Sequence, residues 1–100
     1  MKSEYEIYMD FNNAMDQVGK LRKISGEVVG IGNDDIGGTI DNIETNWTGE
    51  NSEAYVSKSK IVKGKVVSTG GDIGKVADTI EAIATRIRDA ELEALRIAES

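Results

Sequence analysis

Three segments of the 100-residue chain carry the outline of a ligand-binding loop. Gly30-Ile31-Gly32 follows the apolar pair Val28-Val29, as a dinucleotide loop follows a strand. The motif G-x-G-x-x-G needs glycine where Asp35 stands, and no β–α–β pattern surrounds it. Gly70-Gly71-Asp72-Ile73-Gly74-Lys75-Val76 holds the Gly-Lys pair of a phosphate loop. Thr69 stands where that loop needs its first glycine, and Val76 where it needs a metal-binding Ser or Thr. Asn33, Asp35 and Glu44 fall at the first, third and twelfth places of a calcium loop, with Gly38 at the sixth. Its fifth place is Gly37, which supplies no side-chain oxygen. The sequence reads all three as helix weakened by glycine rather than as sites.

The wider inventory is narrower still. There is no Cys and no His, so disulfides, the usual zinc ligands and nucleophilic triads with a His base are excluded. The 18 acidic residues always offer some carboxylate pair, but a rod of helices offers little of the concavity that catalysis needs. The sequence predicts no enzyme, no cofactor and no metal. Lys58, Lys60, Lys63 and Lys65 read as a solvated helix face, because 12 basic against 18 acidic residues give a net charge of −6, the wrong sign for nucleic acid. The same balance disfavours an anionic membrane surface, and no run of apolar residues is long enough to insert into a bilayer. Met1-Lys2-Ser3-Glu4-Tyr5-Glu6 lacks a basic stretch followed by an apolar one. The expectation is a chain made in the cytoplasm without an ordinary signal peptide, leaving it only by a leaderless route.

Zero Pro and only 5% aromatic residues favour long helices over strands. At alternating spacings of four and three, the second half reads Tyr55, Ser59, Val62, Val66, Thr69, Ile73, Val76, Ile80, Ile83, Ile87, Ala90, Ala94 and Ile97, of which all but Ser59 and Thr69 are apolar. Ala77, Ala84, Ala98, Leu92 and Leu95 widen this stripe to the face of a bundle helix. The first half carries Ile7, Phe11, Ala14, Val18, Leu21, Ser25 and Val28, then Ile36, Ile40, Ile43 and Trp47. The phase slips by one residue between Val28 and Ile36, within a glycine-rich segment where each glycine costs about 1 kcal/mol relative to Ala. A kink, fray or short break is predicted in 30–38, and a continuous but less stable helix across Gly70-Gly71.

Between the stripes, Asn46 and Gly49 suit a turn, and Thr48 or Ser52 suits the cap of the helix that follows. The prediction is an all-α, single-domain antiparallel hairpin: helix 4–45, turn 46–49, helix 50–97. Each arm is then roughly 65 Å long. Residues i and about 96 − i face each other. Asp34, Asp35, Asp41 and Glu44 thereby approach the Lys58–Lys65 run, or both runs are simply solvated; exposed pairs contribute only ~0–1 kcal/mol each. The charge asymmetry fits the pairing, since residues 1–50 hold 4 basic and 10 acidic side chains and residues 51–100 hold 8 of each. Two helices alone cannot cover so broad a stripe. The chain is therefore predicted to dimerise, through Ile7, Phe11, Val18, Leu21, Val28, Ile36, Ile40, Ile43, Tyr55, Val62, Val66, Ile73, Val76, Ile80, Ile83 and Ile87, into an antiparallel four-helix bundle. Tyr5, Tyr8 and Met9 are assigned to core or dimer packing as well.

Trp47-Thr48-Gly49 is a W-x-G tripeptide at the midpoint of a helical, cysteine-free chain of 100 residues. In length, midpoint motif, matching amphipathic arms and acidic charge, the whole chain resembles the WXG-motif hundred-residue family, the early-secreted-antigen-like substrates of bacterial type VII secretion. The resemblance implies that Trp47 closes the first arm and packs its indole between the arms, and that Gly49 permits the reversal. Ala54 and Tyr55 match the small and aromatic residues that follow the turn in that family. It also implies an export signal Y-x-x-x-[D/E] near the end of the second arm. Here no Tyr follows Tyr55; Arg88 stands about where that Tyr is expected, and Glu91 is the remnant of the acidic element.

The function so implied is that of a small secreted substrate, or a co-secreted partner, of a type VII system. Its partners would be itself as a homodimer, or a related WXG-type protein or effector, together with the secretion motor ATPase. In an antiparallel dimer, the turn of one protomer and the end of the second arm of the other form one composite surface for that ATPase. A competing reading is a cytoplasmic adaptor that heterodimerises with a larger effector and is exported, if at all, with it. A third is a generic coiled-coil interaction module.

Overall fold

The computed structural model describes every residue, Met1–Ser100. The chain forms α1 (Glu4–Gly30), a six-residue π-helical turn (Ile31–Ile36), α2 (Gly37–Asn46) and α3 (Glu50–Glu99), with no strand. The first three run as one arm and α3 returns alongside it, giving a rod of 77 × 15 × 12 Å. The predicted hairpin is what forms.

The start of α1 is fixed locally. Ser3 Oγ accepts a hydrogen bond from the Glu6 amide at 3.2 Å, and the Glu6 carboxylate accepts from the Ser3 amide. This reciprocal pair satisfies two amides that the first turn otherwise leaves free, and Glu4 and Glu6 sit at the positive end of the helix dipole.

The one-residue slip in the first arm has a structural cause. Along the inward face the spacings run Val28, Gly32, Ile36, Ile40, a succession of fours where an α-helix alternates fours and threes. A π turn, with hydrogen bonds from i to i−5, accommodates the extra residue: the Gly37 amide donates to the Gly32 carbonyl. The backbone at Gly30 and at Gly37 keeps right-handed helical angles. Of the kink, fray or short break predicted in 30–38, the break does not form: the chain stays helical throughout. The helix widens for one turn, and Ile40 and Ile43 return to the inward face.

At the reversal, the Trp47 amide still donates to Ile43 O, and Trp47 then turns extended at φ −111° and ψ 141°. Gly49 has φ +108°, the only positive φ in the chain and a region that costs a side chain dearly. It sits directly before α3 in place of the predicted Thr48 or Ser52 cap. Ser52 Oγ instead donates back to Gly49 O at 2.8 Å, and the Glu53 amide donates to the same carbonyl.

The arms meet along a single seam. Its buried apolar residues are Ile7, Val18, Ile40, Ile43 and Ala77. At mid-length the contact is made by absence of side chain. A Cβ on Gly70 would lie 2.7 Å from Val29 Cγ2 and 3.0 Å from the Val29 amide nitrogen; one on Gly32 would lie 2.6 Å from Val67 Cγ2. Ser25 Oγ closes the same level with a 2.6 Å hydrogen bond to Gly70 O. Gly70-Gly71 thus lies within an unbroken α3, as predicted, and its first glycine is a contact point between the arms.

Candidate functional site

The rod has two unlike sides. Successive helical residues are turned by about 100°, so Val76 and Asp78 flank buried Ala77 on opposite sides. On the Asp78 side the arms are tied by charge. Arg22 Nη2 lies 3.0 Å from Asp78 Oδ1 and 2.5 Å from Glu81 Oε2, and these carboxylates hold the guanidinium above its ordinary pKa. Lys60 Nζ meets Glu44 Oε1 at 3.0 Å. Of the predicted contacts between the acidic run and the lysines, this one forms an ion pair. Asp34, Asp35, Asp41, Lys58, Lys63 and Lys65 form none within the chain; the solvated alternative holds for all of these but Lys63, which is half-buried at the seam with its Nζ over Gly37.

The Val76 side is apolar and open. Tyr55, Val62, Val76, Ile83 and Ile87 are each 47–54% exposed, and Ile24 and Ile31 on the first arm are nearly as open. The predicted stripe therefore divides. Ile7, Val18, Ile40 and Ile43 are buried; Phe11, Leu21, Val28, Ile36, Val66, Ile73 and Ile80 are half-buried at the seam; Tyr55, Val62, Val76, Ile83 and Ile87 of the second arm face solvent. Within one chain these residues are not a core. A single helix partner covers only the strip of α3 centred on Lys63, Gly70, Ala77 and Ala84, whereas the three–four pattern marks a band wider than that. Tyr5, Tyr8 and Met9 are also exposed, so the packing predicted for them is not made within the chain.

Three shallow grooves interrupt the open face. Near the free ends of the arms, one of about 270 Å³ lies between Phe11 and Ala14 of α1 and Ile83 and Ile87 of α3. Another, of about 490 Å³, lies near the turn between Ile36, Ile40, Tyr55 and Val62. A third, of about 220 Å³, separates Val28 from Val62 and Val66.

The free end is organised by charges that sequence spacing did not reveal. The Arg88 guanidinium lies over the Phe11 ring, 4.5 Å from its centroid, while Arg88 Nη2 meets Asp89 Oδ1 at 3.0 Å. Lys2 Nζ bridges Asp10 Oδ2 at 2.9 Å and Glu91 Oε1 at 3.1 Å; hydrogen bonds to Asp10 and then Glu91 raise its pKa above the ordinary lysine value. The second Glu91 oxygen, Oε2, is buried without a hydrogen-bond partner. One cation thus serves two carboxylates beside an apolar groove.

At the other end, Trp47 ends the first arm but does not pack between the arms, contrary to the expectation. It is 59% exposed at the tip, and its indole lies against Tyr55, with ring centroids 6.4 Å apart and planes inclined by 35°. The turn accounts for this: extended Trp47 and left-handed Gly49 reverse the chain in three residues, leaving the indole outside the seam. No group of three or more acidic side chains is placed to hold a metal ion, and no helix is long and apolar enough to cross a membrane. Comparison with family models, with curated proteins and with solved structures gives no match.

Proposed function

We propose that this chain is a small substrate, or a co-secreted partner, of a bacterial type VII secretion system, and that it acts as a helical dimer. The observation that carries the reading is the tip. A W-x-G turn at mid-chain presents Trp47 to solvent at the end of two matched arms, and Gly49 adopts a backbone conformation that requires glycine. The open apolar face supports the dimer, since a second hairpin laid on it completes a four-helix core.

The test is export in a host with an active type VII motor and in the same host lacking it. Trp47→Ala should abolish secretion while the protein remains folded and abundant in the cell. Secretion that is independent of the motor, or unaffected by the substitution, overturns the reading.

A second reading, that of an adaptor that pairs with a larger effector, is favoured by Arg88. It stands where the resemblance expects the signal tyrosine, and it is engaged with Phe11 and Asp89. On that reading the chain leaves the cell only when the effector is co-expressed.

A further inference from the structure

The buried side chains form two groups with a gap between them. Toward the free ends lie Ile7, Val18 and Ala77; toward the turn lie Ile40, Ile43 and Ser52. Between Val18 and Ile40 on the first arm, and between Ser52 and Ala77 on the second, every buried residue is a glycine: Gly32, Gly37 and Gly70. This waist spans about 33 Å of helix at 1.5 Å per residue, in a rod 77 Å long.

Other features weaken the same stretch. Nine of the 11 glycines lie in 26–38 and 64–74, segments that meet where Gly32 lies beside Val67 and Gly70 beside Val29. Glycine is the weakest helix former after proline and buries no side chain. The π turn interrupts the α-helical bonding of the first arm at this level. No ion pair crosses the seam between Arg22 and Glu44, and half-buried Lys63 lies over Gly37 without a carboxylate partner. The one side-chain hydrogen bond that crosses is that of Ser25 to Gly70 O, on the free-end side of the waist. Two packed regions open together only if what joins them resists opening, through buried side chains or through firm helix. The waist supplies little of either.

We propose that the hairpin is two cooperative units joined by a glycine waist, and that the turn-end unit, about residues 37–60, opens and recloses while the free-end unit stays closed. The free-end unit is the firmer. It holds the Ser3–Glu6 capping box, the bridges from Lys2 and Arg22 to the opposite arm, and the Ser25 hydrogen bond. The turn-end unit holds one cross-arm ion pair, Lys60 with Glu44. Its opening leaves a loop closed by Ser25 and Gly70, which are 45 residues apart in sequence. Closure entropy grows only with the logarithm of loop length, so that long loop adds little to the cost. Opening uncovers Ile40 and Ile43 and frees the Trp47 tip from the axis of the rod, so that the tip reorients without the whole chain unfolding. The device belongs to the single hairpin and does not depend on the secretion reading.

Amide hydrogen exchange of the full chain, read residue by residue at fixed concentration, tests both parts. Protected amides should fall into two groups, those of about residues 37–60 exchanging faster than those of about 7–25 and 70–94. Ile43→Ala should accelerate the turn-end group about tenfold or more and the free-end group less than about twofold; Val18→Ala should do the reverse. Where Ile43→Ala removes turn-end protection altogether, Ile43→Val gives the graded change. Gly38→Ala, Gly64→Ala and Gly71→Ala together add helix propensity to the waist, and none of the three added carbons meets a neighbour within 4 Å. In that background Ile43→Ala should accelerate both groups. If either core substitution accelerates both groups equally in the otherwise native chain, the two units are overturned. A free end that exchanges faster than the turn end overturns the order of opening. An effect of Ile43→Ala still confined to the turn end after the three glycines are replaced overturns the glycine waist as the boundary.

Discussion

Ser25 Oγ donates a 2.6 Å hydrogen bond to the main-chain carbonyl of Gly70, fastening the two arms at mid-length where neither contributes a large side chain. The bond forms because the backbones are close, and they are close because position 70 lacks a Cβ. The added carbon would meet Val29 Cγ2 at 2.7 Å, the Val29 nitrogen at 3.0 Å and Ser25 O at 3.1 Å. Two of these atoms are backbone and have little freedom to move aside.

Adjacent glycines should therefore respond with opposite sign. Gly71 is exposed, with nothing within 4 Å of an added Cβ. Gly71→Ala should raise stability by about 0.5–1 kcal/mol, the ordinary gain in helix propensity. Gly70→Ala has the same propensity gain but forces the arms apart, and should lower stability by about 1–3 kcal/mol. Urea denaturation of both variants checks this; two changes of the same sign would show that the arms are not in close contact.

A second contrast concerns the π turn. Removing Asn33, an exposed residue inside it, restores the alternation of fours and threes from Val28 onward. The deletion should keep helical content and leave stability unchanged or up to about 1 kcal/mol higher, since the wide turn is no longer needed. Removing exposed Gln17 from α1 has no extra residue to absorb. It turns Ile7 and Phe11 about 100° off the seam and should cost more than about 2 kcal/mol. Thermal melts followed by circular dichroism compare the two. Equal losses would mean that the π turn does not maintain the phase.

The pH response follows from the charged groups. The Arg96 hydrogen bond lowers the Glu93 pKa, so its contribution to stability is present above the unfolded value, about 4.3, and disappears as pH falls through the folded one. Lys2 has the opposite sign. Its pKa is raised by Asp10 and Glu91, so its contribution is complete below about 10.4 and disappears as pH rises through the folded value. With no His in the chain, no side chain has an ordinary pKa between about 5 and 8. Helicity at fixed concentration should be flat across that interval and decline outside it. A transition near pH 6.5 would contradict this account.

Much of the fold was legible because hydrophobic spacing reports which residues face inward. Ile7, Val18, Ile40 and Ile43 were in the predicted stripe and are buried, and the one-residue slip after Val28 located the π turn before its form was known. Glycine was harder to read. Propensity counts the local cost of Gly70 and Gly32, whereas their role as contact points depends on Val29 and Val67 of the opposite arm, which no local pattern encodes. The second-arm stripe was correctly apolar, yet a single chain leaves Val62, Val76 and Ile87 half-exposed, since the pattern specifies a band and not what covers it. The bridge from Lys2 to Glu91 joins opposite ends of the sequence and depends on how the free ends of the arms align.

The tip separates stability from recognition. Gly49 holds φ +108°, so Gly49→Ala should cost about 1–2 kcal/mol through backbone strain, although nothing lies within 4 Å of the added carbon. Trp47 is exposed and touches Tyr55, so Trp47→Ala should cost less than about 1 kcal/mol. If the tip is a recognition surface, its effect on secretion has the reverse order. Trp47→Ala, nearly as stable as the native chain, should be retained in the cell, whereas Gly49→Ala should be exported to the extent that it remains folded. Denaturation midpoints and secreted fractions of the two variants provide the comparison. If secretion merely follows stability in both, Trp47 is a turn residue and the tip carries no recognition.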